Sequence, residues 1–300
     1  MTTSDVRRSD ENPADEASRS EEARSRESAG DAKKSYATIL DQEISEGLEE
    51  LERPAGGLLL SGLSAGLDVG FSALLVFLVV TLAKGQIPDP FFEILKANAY
   101  TVGFIFVIFG RSELFTEHTT LACWPVLDGR ASVAQLGRLW GLVYVSNLVG
   151  AALFSGLLVV IGPALGIIET TAFESVAAEL TGYPAWVILL SAVLAGWLMG
   201  LVSWLVTAGR DTISQIFFVW LVTGSIGIAK LHHCIVGTVE VLPAVLAGTG
   251  VTLAQFSSML VLATVGNMVG GVFFVALIKY VHAQGARRGM MDPQTWQSPD

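Results

Sequence analysis

Long apolar runs separated by short polar connections occupy most of the chain beyond position 55. A helix that crosses a membrane needs about 20 predominantly apolar residues, and four runs meet this length: 58–83, 136–161, 185–208 and 257–281. Two further apolar regions, 97–127 and 212–248, are each interrupted by polar residues, RSELFTEH at 111–118 and KLHH at 230–233. The pattern therefore predicts an all-α membrane protein with six transmembrane segments, of which the second and the fifth are broken.

The amino-acid composition agrees with this interpretation. Hydrophobic residues make up 52% of the 300 residues and charged residues only 15%, whereas about 25% of the residues in soluble domains are charged. Residues 1–53 contain fifteen acidic and eight basic side chains, which account for most of the net charge of -10. We expect residues 55–283 to form the six-helix transmembrane domain and residues 284–300 to form a short cytoplasmic tail.

The N-terminal segment divides into two parts. Residues 1–35 are rich in Ser, Glu, Asp and Arg, and they contain too little apolar surface to offset the entropy of ordering, so we expect a disordered acidic tail. In residues 36–54 apolar side chains recur at helical spacing, which predicts an amphipathic helix on the membrane surface; a plain linker is the alternative. The apolar positions are Ile39, Leu40, Ile44, Leu48 and Leu51.

Basic residues are distributed unevenly among the predicted loops. The loop at 162–184 contains no Lys or Arg. The loops on the other side, together with the end of the last helix, contain Arg130, Arg138, Arg210, Lys279, Arg287 and Arg288. Because loops rich in Lys and Arg face the cytoplasm, we expect a multi-pass protein of the inner or plasma membrane with both termini in the cytoplasm.

The sequence also contains a weak internal repeat. SNLVGAALF at 146–154 resembles GNMVGGVFF at 266–274, which pairs Asn147 with Asn267. In the two breaks, residues 114–117 correspond to residues 234–237. Since each repeat contains an odd number of segments, the second repeat must be inverted relative to the first, an arrangement in which broken helices meet near the bilayer midplane. The two asparagines are compatible with either helix packing or pore lining.

Ionisable residues are concentrated at the two breaks, where they are costly and therefore functional candidates. They are Glu113, Glu117, Lys230, His232, His233 and Glu240. His233 is the strongest candidate, because a neutral imidazole is cheap to bury and its ordinary pKa of about 6.5 allows it to lend a proton; a structural histidine bonded to a backbone carbonyl is the alternative. The adjacent His232 cannot share its helix face. Glu117 and Glu240 either line a pathway or form ion pairs with Arg111 or Lys230.

Together these motifs resemble one family of membrane proteins. Order, spacing and membrane placement are similar to the formate/nitrite transporter family in GRSELFTEHTTL (110–121), WGLVYVSNLVGAALF (140–154), AGRD (208–211), HHCIVG (232–237) and VGNMVGG (265–271). The resemblance covers about residues 55–282. It implies an aquaporin-like fold of two inverted three-helix repeats and a homopentamer with one pore in each protomer. It also implies a small monovalent anion, or its conjugate weak acid, as the cargo.

The resemblance further implies roles for individual residues. A pore histidine in the fifth helix faces a threonine of the broken second helix, and these positions fall on His233 and Thr116. Apolar constrictions above and below this pair fall on Leu114, Phe115, Tyr100, Phe104 and Ile226. Four features depart from the family pattern. Glu113 is separated from its glycine by one extra residue, Gly196 replaces an asparagine, and a lysine usual near Leu180 is absent. The histidine motif, usually Glu-His-Ser-x-x-Asn, reads HHCIVG at 232–237. These departures leave a monovalent cation or a neutral small solute as the alternative cargo.

A central histidine within an apolar sleeve has a physical rationale. A bare anion loses much of its hydration energy in a dry constriction, and protonation removes most of that cost. No nucleotide-binding loop occurs, so we expect passive or proton-coupled transport, with no enzymatic activity, cofactor, bound metal or nucleic-acid partner. Two other classes are a structural membrane protein and a metal-binding protein with ligands from His118, His232, His233 and Glu113.

Overall fold

The computed structural model describes residues 34–291, with side chains described as far as residue 285, and every regular element in that range is a helix. In chain order the helices are α1 Tyr36–Glu52, α2 Ala55–Asp68, α3 Gly70–Ala83, α4 Asp89–Gly110, α5 Phe115–Leu121, α6 Cys123–Leu127, α7 Val133–Ala164, α8 Thr170–Thr181, α9 Ala185–Ala208, α10 Thr212–Ile228, α11 Cys234–Ala247, α12 Leu253–Val269, a π-helix Gly270–Leu277, and α13 Ile278–Met291. The predicted disordered tail, residues 1–35, lies outside the described residues except for its last two positions. Helix α13 extends into the predicted C-terminal tail, whose last residues, 292–300, also lie outside the described range.

Five stretches of the described chain are long and apolar enough to cross a membrane. They are Ala55–Ala83, which joins α2 and α3, Asp89–Gly110, Val133–Ala164, Ala185–Ala208, and Leu253–Gly285, which contains α12 and the π-helix. Helices α10 and α11 are apolar but shorter. All four uninterrupted runs predicted from the sequence fall within these stretches, and α4 supplies the first part of the interrupted region at 97–127.

Helix α4 ends in a left-handed turn. Arg111 adopts φ 53° and ψ 45°, and the Ser112 N–H donates to the Val107 carbonyl at 3.1 Å. This hydrogen bond is typical of a helix C-terminus that is followed by a left-handed residue. Leu114 then returns to extended backbone, with φ -96° and ψ 126°, and α5 begins at Phe115.

The end of α10 repeats this backbone. Lys230 has φ 52°, and the Leu231 N–H donates to the Ile226 carbonyl at 3.0 Å. His233 is extended, with φ -116° and ψ 127°, and α11 begins at Cys234. Left-handed backbone is uncommon for residues other than glycine. The chain therefore builds the same turn twice, each time around a residue with a long basic side chain.

Asn147 of α7 holds the first break in place. Its side chain is fully buried, and its Oδ1 accepts a hydrogen bond from the Phe115 N–H at 2.8 Å. Its Nδ2 donates to the carbonyls of Gly62 and Glu113 at 2.7 and 2.9 Å. The amide thus satisfies backbone groups that the interrupted helix leaves without helical partners.

Asn267 of α12 makes the corresponding contacts at the second break. Its Oδ1 accepts from the Cys234 N–H at 2.9 Å, and its Nδ2 donates to the carbonyls of Ala192 and His232 at 2.8 and 3.0 Å. Of the two interpretations of these asparagines, the structure supports helix packing. The two asparagines bond to the N–H groups of Phe115 and Cys234, which are the first residues of α5 and α11. Phe115 therefore corresponds to Cys234 in the structure, one position away from the correspondence predicted from the sequence.

Helix α1 packs against the helical bundle. Leu40 and Ile44 are buried in a cluster with Leu121, Trp124, Trp204, Val275 and Ala283. Glu43 lies on the same face, is fully buried, and accepts a hydrogen bond from Ser203 Oγ at 2.7 Å. The predicted segment 36–54 contains this helix, and the bundle, not a membrane surface, covers its apolar face. An apolar stripe alone does not distinguish lipid from protein as its partner.

Candidate functional site

The two breaks bring His233 and Thr116 into contact. His233 is the N-cap of α11, and Thr116 lies in the first turn of α5. The His233 Nε2 atom lies 2.8 Å from the Thr116 Oγ1 atom, and the two residues are only 1% and 0% exposed. The structure thus joins the two halves of the bundle through the pair that the family resemblance implies.

The other ring nitrogen determines how this contact works. The His233 Nδ1 atom accepts a hydrogen bond from the Val236 N–H at 3.2 Å, and an accepting nitrogen of a neutral imidazole carries no hydrogen. The ring hydrogen therefore lies on Nε2, which donates to the Thr116 hydroxyl. The hydroxyl keeps its own hydrogen, which it can donate to a solute beside it.

His232 is bonded in a different way. Its Nδ1 lies 2.9 Å from Ser191 Oγ, and its Nε2 lies 2.9 Å from the Leu180 carbonyl oxygen, to which it donates. Both ring nitrogens are therefore satisfied by neighbouring helices. This is the structural arrangement that the sequence leaves open for His233, and of the two adjacent histidines it is His233 that contacts Thr116.

Aromatic rings extend from the histidine towards one end of the bundle. The Phe104 ring meets the His233 ring edge to face at 5.3 Å between centroids, and the Tyr100 ring follows at 5.3 Å from Phe104. The Phe115 ring packs against Tyr144 at 4.8 Å. All five residues implied to form constrictions are buried: Tyr100, Phe104, Ile226, Leu114 and Phe115.

A vestibule opens beside Tyr100 and Ile226. Its charged lining residues are Lys96, Glu179, Lys230 and Glu240. Because Tyr100 lines the vestibule and contacts Phe104, these two rings form a continuous series from the vestibule to His233.

Ion pairs hold the two vestibule lysines. Lys96 Nζ lies 2.6 Å from Glu179 Oε2 and 3.3 Å from Glu93 Oε2. Lys230 Nζ lies 2.9 Å from Glu93 Oε1 and 3.6 Å from Glu179 Oε2. Of the two alternatives for Glu240, the ion pair with Lys230 is not formed, since Glu240 has no ion pair with any described residue and Lys230 pairs with Glu93 and Glu179. Sequence reasoning missed Lys96 and Glu93 as site residues, although their spacing of three on one helix places them on a common face.

The structure accounts for two departures from the family pattern. Gly196 lies so close to α12 that an added Cβ atom would stand 2.2 Å from the Asn267 carbonyl oxygen, which leaves no space for a side chain. No lysine occurs near Leu180, but Lys96 and Lys230 place two ammonium groups in the vestibule from other helices. The vestibule therefore contains lysine side chains, although they come from positions far from Leu180 in the sequence.

A second group of charges lies at the other end of α4. The Glu113 carboxylate is bonded to Arg53, which also contacts Glu50 at 2.8 Å. Glu117 is half-buried and forms no ion pair within the described part of the chain, so its predicted pairing with Arg111 is not formed. One group of three described side chains has the spacing of metal ligands: Glu50, Glu113 and His118.

Comparisons with known proteins place these features in a family. Residues 37–281 match the family described as formate/nitrite transporter. The inner membrane protein YfdC of Escherichia coli (strain K12) is 33% identical over 242 residues, which cover 80% of this chain and 75% of that protein.

Two solved structures have the same fold. An FNT family ion channel superposes with a TM-score of 0.72 at 23% identity, over 81% of this chain and 98% of that one. A pentameric formate channel with formate bound superposes with a TM-score of 0.61 at 23% identity, over 77% and 98% of the two chains. The family match confirms the resemblance seen in the motifs and identifies a membrane transporter or channel rather than an enzyme. The chain belongs to the formate/nitrite transporter family.

Proposed function

We propose that the chain passes a small monovalent anion, or its conjugate weak acid, through a pore in each protomer. His233 lends the proton, and the Thr116 hydroxyl relays it. The observation that carries this proposal is the 2.8 Å contact between His233 Nε2 and Thr116 Oγ1, buried at the joint of the two helix breaks. The name of the formate-bound structural neighbour agrees with a cargo of this class.

The first step takes place in the vestibule. Lys96 and Lys230 attract an anion from the water, and their glutamate partners keep the total charge low enough for the anion to leave again. Phe104 and Tyr100 then form a dry passage, in which a bare anion loses hydration that the apolar rings do not replace. The anion therefore advances only if it gains a proton.

The second step takes place at Thr116. Its hydroxyl donates a hydrogen bond to the solute while it accepts one from His233 Nε2. When the ring has also taken up a proton at Nδ1, its Nε2 proton can pass through the hydroxyl to the anion, and the ring is then left neutral. The N-terminus of α11, which begins directly after His233, adds a positive electrostatic potential that attracts the anion before transfer. On the far side the acid releases its proton, and His233 is reprotonated.

The proposed architecture has six membrane crossings. In it, α4 with α5 and α6 forms one interrupted crossing, α10 with α11 forms another, and the two halves are inverted repeats. The matching turns at Arg111 and Lys230 and the matching contacts of Asn147 and Asn267 support this arrangement. The pentameric neighbour supports a homopentamer, and the distribution of Lys and Arg supports cytoplasmic termini in an inner or plasma membrane.

A second candidate cargo is a monovalent cation. The observation in its favour is that the carboxylates of Glu93, Glu179 and Glu240 outnumber the ammonium groups of Lys96 and Lys230 at the vestibule. A vestibule of that balance can attract cations.

Flux into proteoliposomes tests both candidates. Formate, nitrite, acetate, sodium and potassium are compared at several pH values. We expect uptake of the weak acids to rise as pH falls, to persist in Thr116→Ser and to be lost in Thr116→Ala, since only serine keeps the relaying hydroxyl. Weak-acid uptake that is independent of pH and unchanged in Thr116→Ala would contradict the proton relay. Sodium or potassium flux without weak-acid flux would favour the second candidate.

A further inference from the structure

Three side chains from separate parts of the chain converge beside the first break. Glu50 comes from α1, Glu113 precedes α5, and His118 lies within α5. Each offers one ligand atom, and these atoms all lie within 4.8 Å of one another. The group lies at the opposite end of α4 from the vestibule, so it is separate from the charges that line the proposed entrance.

Several polar atoms of this group have no partner within the described part of the chain. They are Nδ1 and Nε2 of His118 and Oε2 of Glu113. His118 is only 4% exposed and Glu113 only 5% exposed. Buried polar groups in proteins are almost always hydrogen-bonded, and an unpaired group often marks the place of an ion or a water molecule. Three unpaired atoms in one cluster therefore indicate a binding site for an ion or a small ligand.

The charge of the surrounding residues determines whether the site favours a cation or an anion. Glu50 and Glu113 share one cation, Arg53, and the Glu117 carboxylate lies within electrostatic range of both glutamates and of Glu46. Carboxylates thus outnumber the cation that pairs with them. A bound cation reduces this excess of negative charge, whereas a bound anion would increase it.

The donor set selects among cations. One imidazole nitrogen and two carboxylate oxygens suit zinc and related first-row transition ions, whereas magnesium and calcium prefer oxygen ligands alone. Metal–ligand bonds of about 2.0–2.2 Å in a tetrahedral site place ligand atoms roughly 3.3–3.6 Å apart. The ligand atoms now lie within 4.8 Å of one another, so the side chains need to close by at most about 1.5 Å.

We propose that Glu50, Glu113 and His118 bind one divalent transition-metal ion of the zinc class, and that Arg53 withdraws when the ion enters. The Arg53 side chain is 33% exposed, so it can swing into solvent. The bound ion would tie α1 to the segment three residues before Thr116. This inference goes beyond the proposed transport function and replaces the sequence-based expectation of no bound metal.

Binding is tested on the purified full-length protein after removal of metal with a chelator. Cobalt(II) is titrated and followed by its visible absorption, zinc is added in competition, and magnesium serves as the control ion. We expect one cobalt per protomer, displaced by zinc and unaffected by magnesium. Glu50→Gln should weaken binding by about tenfold or more, whereas Glu49→Gln, an exposed neighbour on the same helix, should bind like the wild type.

Two further variants separate binding from folding. Arg53→Gln removes the competing cation and keeps the ligands, so it should bind cobalt more tightly than the wild type. His118→Asn should shift the cobalt absorption, because an imidazole ligand is lost, while gel filtration shows an unchanged oligomer. Equal affinity in Glu50→Gln and Glu49→Gln, or no gain in Arg53→Gln, would overturn the proposal. These readouts do not depend on flux, so the transport proposal can fail without affecting them.

Discussion

The two helix breaks have nearly the same backbone but different side chains, and this contrast shows how the site is built. At both breaks a left-handed basic residue is followed by a return to extended backbone, and an asparagine from a long helix satisfies the restart. The residues directly before the second helix are Leu114 in one break and His233 in the other. The two breaks thus share their backbone and differ in the side chain directly before the second helix, where only the second break has a group that can carry a proton.

The two positions also differ in what their side chains do for the helix that follows. His233 caps α11 by accepting from Val236 N–H, whereas the apolar Leu114 makes no capping hydrogen bond. At the first break, α1 instead packs on α5 and α6 and covers them. Each half therefore stabilises its restart by a different means.

Replacing His233 by leucine makes the second break resemble the first, and it has the largest expected effect. Flux of a weak acid in proteoliposomes should fall by about 100-fold or more, because a positioned proton donor contributes at least that much to a proton transfer. Thr116→Ser is the control with the hydroxyl retained. Weak-acid flux in His233→Leu near the wild-type rate would break the comparison, since the chemistry would then not depend on this position.

Replacing each asparagine tests whether the two breaks contribute equally to the stability of the fold. Asn147→Ala and Asn267→Ala each leave one N–H and one carbonyl group of the break unpaired in the interior, since the second carbonyl keeps its bond within its own helix. Each unpaired group costs about 1–3 kcal/mol. We expect each variant to lose about 3 kcal/mol of stability, measured as unfolding in detergent. A large loss in one variant and none in the other would show that the two halves are held differently.

The docking of α1 over the first break should depend on pH. Burial raises the pKa of Glu43 on α1 from 4.5 to about 7, so the docked helix binds this proton more tightly than the released helix does. Docking is therefore strongest below pH 4.5 and weakens as pH rises towards 7, with no further change above that. Hydrogen exchange, corrected for the intrinsic effect of pH, should increase in Phe115–Leu121 over this interval and stay constant in Cys234–Ala247.

Glu43→Gln supplies the control for this experiment. The amide cannot ionise, so the exchange of α5 in this variant should depend less on pH than it does in the wild type. A pH-dependent change of the same size in both helices, or in Glu43→Gln, would show that another group is responsible.

Glycine at the left-handed positions has the smallest expected effect. Arg111→Gly relieves a conformation that costs about 1 kcal/mol for residues with a side chain, and a gain of at most that size is expected in the free energy of unfolding. Lys230→Gly gains the same relief but loses the ion pairs with Glu93 and Glu179, so its net gain should be smaller. A larger gain for Lys230→Gly would mean that these ion pairs do not stabilise the fold.

Much of this arrangement can be predicted from the sequence, for identifiable reasons. Long apolar runs determine membrane helices by length alone, and polar letters inside apolar regions indicate both breaks. The motifs around Thr116 and His233 suggest a facing pair, because their order and spacing follow a family pattern. Function at these residues stays a prediction until flux is measured.

Other features depend on contacts that sequence patterns do not contain. Lys96 meets Glu179 across 83 positions of the chain, and nothing in either local pattern indicates the partner. His232 and His233 are adjacent, and only the neighbours Ser191, Leu180 and Thr116 distinguish their roles. The burial of α1 depends likewise on which surface meets its apolar stripe.

The bond from Val236 N–H to His233 Nδ1 has a consequence for energy coupling. In the resting ring Nε2 already carries the hydrogen, so a further proton can bind only at Nδ1, where it displaces the bond that caps α11. Under the proposed relay the ring therefore stays neutral when no anion lies beside Thr116, and the empty pore does not form a proton wire across the bilayer. A cell could then move weak acids through this protein without short-circuiting its membrane voltage.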